Sequence, residues 1–526
     1  MEFVIRDLEK VIYPYANQFF LLRFRYYGVS FRILQSNYRY LHPKKSTINM
    51  RKILILLITI FIASAIYAND GYSIKVKLEN FSQDTLYLGY HYADKQYLLD
   101  TATVSTDGFF VFEGEEALAG GVYLVVMPPK NEYFQILVTE GEQHFTVVAD
   151  SQNPVKHTTI EGSEDNKLLY DYLRFISARR PAADSLRQLE NQATSVEEKA
   201  KYEEQRNAIN LEVETYQQDV VEKHPKTLTA AIIRANVPMQ QPEFTGTEEE
   251  VQMQRWQYSL KHFFDNVDLG DPRMLRTPFL FERVDYYINR LNAQHPDTLI
   301  RAVDDVLEQM KPAEETFKFF LIHFLNNFAK SQYVGMDKVY VHLVNEYYAK
   351  GLAPWTEEDQ LEKIIENAKG IEPTLIGKVA PNIEMTKRDG SKIALHDVDS
   401  KYTVLYIWKY DCGVCQKATP VMKEFYENFK DEGVEIFAVC FKFGKDVSPC
   451  WEYVDEKGIQ DWIHTVDPYN RSKYRDLYYV KSTPQIYILD ENKEILSKRI
   501  GAEQLGDVMT RILEMEAKEA NSGTGK

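Results

Sequence analysis

The hydrophobic period of this chain changes twice, and each change demands a different architecture. From residue 72 to about 150 the period is two: Ile74, Val76 and Leu78 alternate with Lys75, Lys77 and Glu79, the pattern of a half-buried strand. Similar runs at Thr85–Tyr90, Tyr97–Val104, Phe109–Phe112, Val122–Met127, Tyr133–Val138 and Phe145–Val148 are separated by turn residues. Short strands at this even spacing predict an antiparallel β-sandwich over residues 69–150, with Tyr87, Tyr90, Tyr92 and Tyr97 packing on its faces rather than binding a ligand. From 163 to 370 the period is helical, as in Ile209, Val213, Tyr216 and Val220, which fall on one face. Ser195 and Glu198 predict a capped helix start, Glu197 and Lys201 an i,i+4 ion pair, and Thr277-Pro278 the N-cap and first turn of a helix carrying Leu280, Val284, Ile288 and Leu291. An all-α domain follows. Beyond Leu375 the pattern changes again, and 526 residues leave room for a third domain. The polar end, 517–526, reads as a disordered tail.

The residue inventory excludes several function classes. The formal net charge is −16, without a basic stripe, so a phosphate backbone would be repelled and nucleic acid is not an expected partner. The 11 His residues form no HExxH and no metal-spaced pair beside a carboxylate, so no metal is expected. There is no P-loop and no GxSxG elbow. Four Cys residues are too few to scaffold a chain of this length, so any bridge is local or catalytic.

The amino terminus carries an address. Met50-Arg51-Lys52 precedes an apolar run from Ile53 to Ile62, broken only by Thr59, and then the small-residue stretch Ala63 to Ala68. This is the layout of a secretory signal peptide at 50–68, cut after Ala65 or, preferred here, Ala68; its apolar part falls short of the roughly 20 residues of a spanning helix. Residues 1–49 then read as an upstream leader from a start site assigned too early. From Asn69 onward the chain has 52 basic against 75 acidic residues, a net −23. With no Cys at the cleavage site there is nothing to lipidate, so the mature chain is expected in the periplasm or cell envelope with no membrane span.

The chemistry is concentrated after Thr403. The apolar strand Thr403–Trp408 runs into Cys412-Gly413-Val414-Cys415, after which residues 416–430 have helical composition with Pro420 inside. Two Cys residues separated by two positions on a first helical turn bring their sulfurs within disulfide reach. The first sits where unpaired amide N–H groups and the positive helix end stabilise a thiolate. Cys412 is therefore the expected nucleophile and Cys415 the thiol that resolves a mixed disulfide. An inert disulfide or half of a zinc site are the alternative readings.

These features together resemble the TlpA/ResA type of thioredoxin-like thiol–disulfide oxidoreductase. The lead-in Gly377 to Pro381, Trp408 before the CxxC, Pro420 five residues after Cys415, and the run Val480 to Asp490 containing Thr483-Pro484 carry the resemblance. It implies a thioredoxin-like fold over 375–516 and a cis-proline loop in which Thr483 and Pro484 pair with a substrate backbone. It also places Trp408 at the substrate site, requires no cofactor beyond the redox-active Cys412–Cys415 pair, and makes the partners envelope protein thiols or disulfides and a redox partner. Three departures stand out. Tyr406 occupies a position where thioredoxins often keep a buried carboxylate. Asp411 replaces a Trp and would oppose a thiolate, with Lys409 and Lys417 expected to offset it. Gly413-Val414 replaces Gly-Pro, so the direction of exchange is unassigned. Upstream, the sandwich and helices resemble domains of unknown function found before thioredoxin-like domains in Gram-negative envelope proteins.

Cys440 ends a strand expected to run parallel to Thr403–Trp408, so it opens on the same edge as Cys412. With Cys450 it forms a possible second disulfide; two inert thiols, a relay or a metal site are the other readings. The leading function is an exported thiol–disulfide oxidoreductase, and the alternative is an envelope binding protein whose thioredoxin-like domain is structural. Peroxide reduction is disfavoured because Lys409, not Thr, stands three residues before Cys412.

Overall fold

The computed structural model describes residues 71–523. The expected leader at 1–49 and the expected signal peptide at 50–68 lie outside the described residues. Among the described residues the strands form three sheets. The first two are built from β1 (Tyr72–Glu79), β2 (Thr85–Tyr92), β3 (Lys95–Thr103), β4 (Phe110–Gly114), β5 (Gly121–Met127), β6 (Glu132–Val138), β7 (His144–Asp150) and β8 (Thr159–Glu161). One sheet has the order β4-β1-β7-β8 and the other β3-β2-β5-β6. The alternation seen in β1 does its work: Ile74 and Val76 are fully buried while Lys75 and Lys77 face solvent. The expectation of purely antiparallel pairing fails at one place, since β1 and β7 run parallel over seven residue pairs. A period of two specifies which face is buried but not the direction of the partner strand.

The helices that follow are α1 (Glu164–Gln192), α2 (Val196–Lys223), α3 (Leu228–Asn236), α4 (Glu248–His262), α5 (Leu280–Tyr286), α6 (Pro296–Met310), α7 (Glu314–Ala329), α8 (Asp337–Leu343) and α9 (Glu358–Ile371). Ser195 caps α2 by accepting the Glu198 N–H at 3.2 Å. Thr277-Pro278 does not open a helix: the Thr277 hydroxyl donates to the Met274 carbonyl at 2.6 Å, closing the turn before, and α5 starts at Leu280. Of the strand tyrosines, Tyr92 meets Phe319 of α7 edge-on at 5.7 Å, whereas Tyr97 stays 37% exposed. Sheets and helices therefore feed one hydrophobic core, in which Ile74, Leu88 and Val125 join Leu228, Val284 and Phe320.

Two polar residues lock this junction. Asn166, fully buried at the start of α1, accepts the Leu137 N–H and donates to the Leu137 carbonyl, both at 2.7 Å, so it satisfies the edge of β6 as a neighbouring strand would. Asp165 accepts the Leu228 and Thr229 N–H groups at 2.7 and 2.9 Å, capping α3 from another helix.

The third sheet, with order β10-β9-β13-β12-β11-β14-β15, contains β9 (Glu384–Thr386), β10 (Lys392–Ala394), β11 (Tyr402–Trp408), β12 (Val434–Cys440), β13 (Ile463–Val466), β14 (Gln485–Leu489) and β15 (Ile495–Lys498). β11, β12 and β13 are parallel, with β14 antiparallel to β11. Every residue of β11 is buried, because α10 (Gly413–Phe429), α11 (Ser448–Lys457) and α12 (Ala502–Gly523) pack with Tyr402, Val404, Tyr406 and Trp408 in one core. Leu405 and Ile407 point to the other face, into a second core with Tyr474, Tyr478 and Tyr487. α12 continues to Gly523, so residues 517–523 of the expected tail are helical; the helix formers Ala517, Lys518, Glu519 and Ala520 extend it. No described helix is long and apolar enough to cross a membrane.

Candidate active site

The site forms where β11 ends and α10 begins. Cys412 is the N-cap of α10, and its Sγ accepts the Cys415 amide N–H at 3.2 Å. It also lies 3.4 Å from the Thr483 carbonyl oxygen, toward which the thiol donates. The Thr483–Pro484 peptide is cis, and both residues are partly exposed at the mouth of the site. Cys412, Cys415, Thr483 and Pro484 are thus brought together from segments about seventy residues apart. The two thiols are unbridged.

The two sulfurs have opposite surroundings. Cys412 is partly exposed; the burial it has works against the thiolate, but hydrogen bonds from the Cys415 thiol and backbone outweigh it, and its pKa lies below the ordinary thiol value. Cys415 is fully buried, and burial first, then its hydrogen bond to Cys412, pushes its thiol up to about 12. One sulfur is poised to attack from solvent, and the other stays protonated behind it.

The residues around them depart from the sequence reading in two respects. Trp408, expected at the substrate site, is only 2% exposed: it lies in the central strand, 5.2 Å from Tyr453 and stacked near Tyr406, and cannot touch a substrate. Asp411 is neutralised by Lys442 at 2.6 Å, not by Lys417, and this ion pair holds its carboxyl below the usual range, with Lys409 a lesser contributor. Lys442 lies two residues past Cys440 on the carboxyl edge that parallel pairing sets beside Cys412, so topology was the signal for it. In place of a buried carboxylate, Tyr406 and Thr419 direct their hydroxyls at the Cys415 carbonyl at 3.5 and 2.9 Å, and Thr419 is also bonded to Tyr453. Burial raises the Tyr406 phenol far above its ordinary range, so it remains a neutral donor.

Cys440 and Cys450 form a disulfide. Cys440 pairs in register with Trp408 across β11 and β12. Among the described residues no group of three or more His, Cys, Asp or Glu is arranged to hold a metal ion.

Known proteins are similar to parts of this chain. The AhpC/TSA family matches residues 376–497, which span both active-site cysteines and Pro484, and two domains of unknown function, DUF4369 and DUF5106, match residues 72–169 and 193–370. Thiol-disulfide oxidoreductase ResA of Bacillus thuringiensis is 31% identical over 140 residues, 26% of this chain and 78% of the relative. The chain belongs to the ResA family of thiol–disulfide oxidoreductases. Another ResA, from Geobacillus kaustophilus, is 28% identical over 120 residues, 23% of this chain and 66% of that protein. Among solved structures, a domain of a possible thiol-disulfide isomerase from Cytophaga hutchinsonii is 34% identical, covering 28% of this chain and 98% of that one with a TM-score of 0.26. A thioredoxin-like protein from Bacteroides caccae, 19% identical, covers 52% of this chain and 99% of that one with a TM-score of 0.39. The ResA-type region is the thioredoxin-like α/β part of a multidomain chain whose amino-terminal sheets and helices are of unknown function.

Proposed function

We propose that this protein is exported and exchanges disulfides with envelope proteins through Cys412 and Cys415. The observation that carries the reading is the position of the Cys412 sulfur, at a helix N-terminus, hydrogen-bonded by the Cys415 amide and 3.4 Å from the Thr483 carbonyl. The Cys412 thiolate attacks one sulfur of a substrate disulfide; a Cys412–substrate bond forms and the other substrate sulfur leaves as a thiolate that takes up a proton. Cys415 then loses its proton and attacks the Cys412 sulfur, closing the Cys412–Cys415 disulfide and releasing the second substrate thiol. The substrate gains two electrons and the protein loses two, to be regained from a dithiol redox partner; the steps run in reverse for oxidation. Thr483 and Pro484 hold the substrate backbone beside Cys412, and no cofactor takes part.

The test is a pair of variants. Cys415→Ser traps a mixed disulfide with substrate at Cys412, and Cys412→Ser loses insulin reduction by at least about a thousandfold, since the nucleophile itself is gone. Full insulin reduction by Cys412→Ser would refute the mechanism. Export is supported by the amino-terminal pattern, and an envelope-fraction protein beginning at Asn69 is the expected finding; a cytosolic protein retaining residues 50–68 would refute it.

A further inference from the structure

The helical region meets the ResA-type region beside the very loop that faces Cys412. Tyr479, at a φ of +44°, turns its side chain onto α9. Its hydroxyl hydrogen-bonds Asn367, and its ring occupies the space left by Gly370, where an added Cβ would fall 2.3 Å from a ring carbon. The Lys481 Nζ lies 4.1 Å from the centroid of the same ring. Between α9 and this loop opens a groove of about 530 Å³, walled by Glu366 and Lys369 on one side and by Arg475, Asp476, Val480 and Lys481 on the other. Lys481, on the groove's rim, is two residues from Thr483, a span of at most about 7 Å of extended chain, and the Thr483 carbonyl lies 3.4 Å from the Cys412 sulfur.

The chemistry of the walls indicates the occupant. A small-molecule site is usually concave and mostly apolar. This groove is open, and most of its walls are charged, with three cations against two carboxylates in a chain whose net charge is −16. An open charged trough a few residues along the chain from the loop that faces a nucleophile fits an extended polypeptide, and its local cationic excess fits an acidic one.

We propose that α9 forms one bank of the substrate groove, so that the enzyme selects protein segments that run extended from their disulfide past Lys481 to Lys369 and carry a carboxylate within a few residues of the cysteine. This rests on the reading of Cys412 as nucleophile. The helical region thereby acts directly in specificity, although it holds no thiol.

The experiment uses residues 69–526 and three probes: a peptide disulfide flanked by Asp residues, the same peptide flanked by Lys residues, and neutral 2-hydroxyethyl disulfide. The wild-type protein is expected to prefer the Asp peptide. In Lys369→Glu/Lys481→Glu the ratio of kcat/KM for the Asp peptide to that for 2-hydroxyethyl disulfide falls roughly fivefold, the size of one to two exposed charge contacts, and the Lys peptide gains. Lys369→Glu alone carries part of the fall, because it sits on α9. Lys95→Glu, a charge-matched change exposed on β3, leaves the ratio unchanged. Equal rates for the two peptides, or no change in Lys369→Glu, would overturn the role of α9 while the thiol mechanism stands. A wild-type protein inactive on 2-hydroxyethyl disulfide would instead overturn the mechanism, and the groove with it.

Discussion

The two parts of this molecule are stabilised on opposite plans. In the ResA-type region a central sheet separates two cores, and neighbouring residues of one strand, such as Tyr406 and Ile407, belong to different ones. In the preceding part the sheets and helices, although matched by two separate domain families, share one core from Ile74 to Leu375. The first plan produces a unit complete in itself. The second produces two layers, neither of which can bury its apolar face alone. A family boundary is therefore not a folding boundary here, and the DUF4369 match itself runs to residue 169, inside α1.

The largest test of this contrast is truncation. Residues 372–523 alone are expected to melt cooperatively and to reduce insulin, whereas residues 69–162 alone show no cooperative transition by circular dichroism; a folded 69–162 fragment would break the comparison. Next is the junction itself. Asn166→Ala leaves two buried backbone groups of Leu137 unpaired, which costs about 4 kcal/mol, and in a calorimetric scan only the sheet-and-helix transition should move. A shift of both transitions would show that the parts are coupled.

Acid should act on the other part. The His464 ring is stacked on Trp462 at 5.6 Å and donates from Nε2 to the Ile459 carbonyl, and burial lowers its pKa to about 4. The unfolded chain takes up the proton near pH 6.5 and the folded one only near 4, so stability present above about pH 6.5 is lost as pH falls toward 4, by at most about 3 kcal/mol. Urea melts between pH 7 and 4.5 read this, and His464→Phe should flatten the dependence. The smallest effect belongs to the polar joint between the parts, where Lys498, 2% exposed, pairs with Asp337 of α8 at 2.5 Å. Replacing both as Lys498→Met/Asp337→Leu should change stability by less than about 1 kcal/mol, because the lost attraction is offset by desolvation no longer incurred. A loss of several kcal/mol would mean the joint is as tight as the fused core.

What was legible in the sequence follows from how locally each feature is encoded. The CxxC at a strand-to-helix junction states its own geometry, since three residues of one helical turn set the Cys412 sulfur against the Cys415 amide. Strand direction is another matter: nothing in Ile74 to Leu78 tells whether β7 arrives parallel or antiparallel. The resemblance places Trp408 at the substrate site, but position next to a motif does not set exposure: β11, as a central strand, is covered on both faces. Lys442 and the α9 groove depend on residues brought together across thirty to more than a hundred positions, and no spacing rule reaches that far.

The Cys440–Cys450 bridge has one more consequence. A catalyst that cleaves sulfur–sulfur bonds carries such a bond within its own fold, in the same core as its second active-site thiol. Depth keeps it from consuming itself. Both bridge sulfurs belong to residues no more than 2% exposed, so an incoming thiolate finds no line of approach. The enzyme is insulated from its own chemistry by burial of the bridge, and of its two active-site thiols only the partly exposed one is left to face the outside.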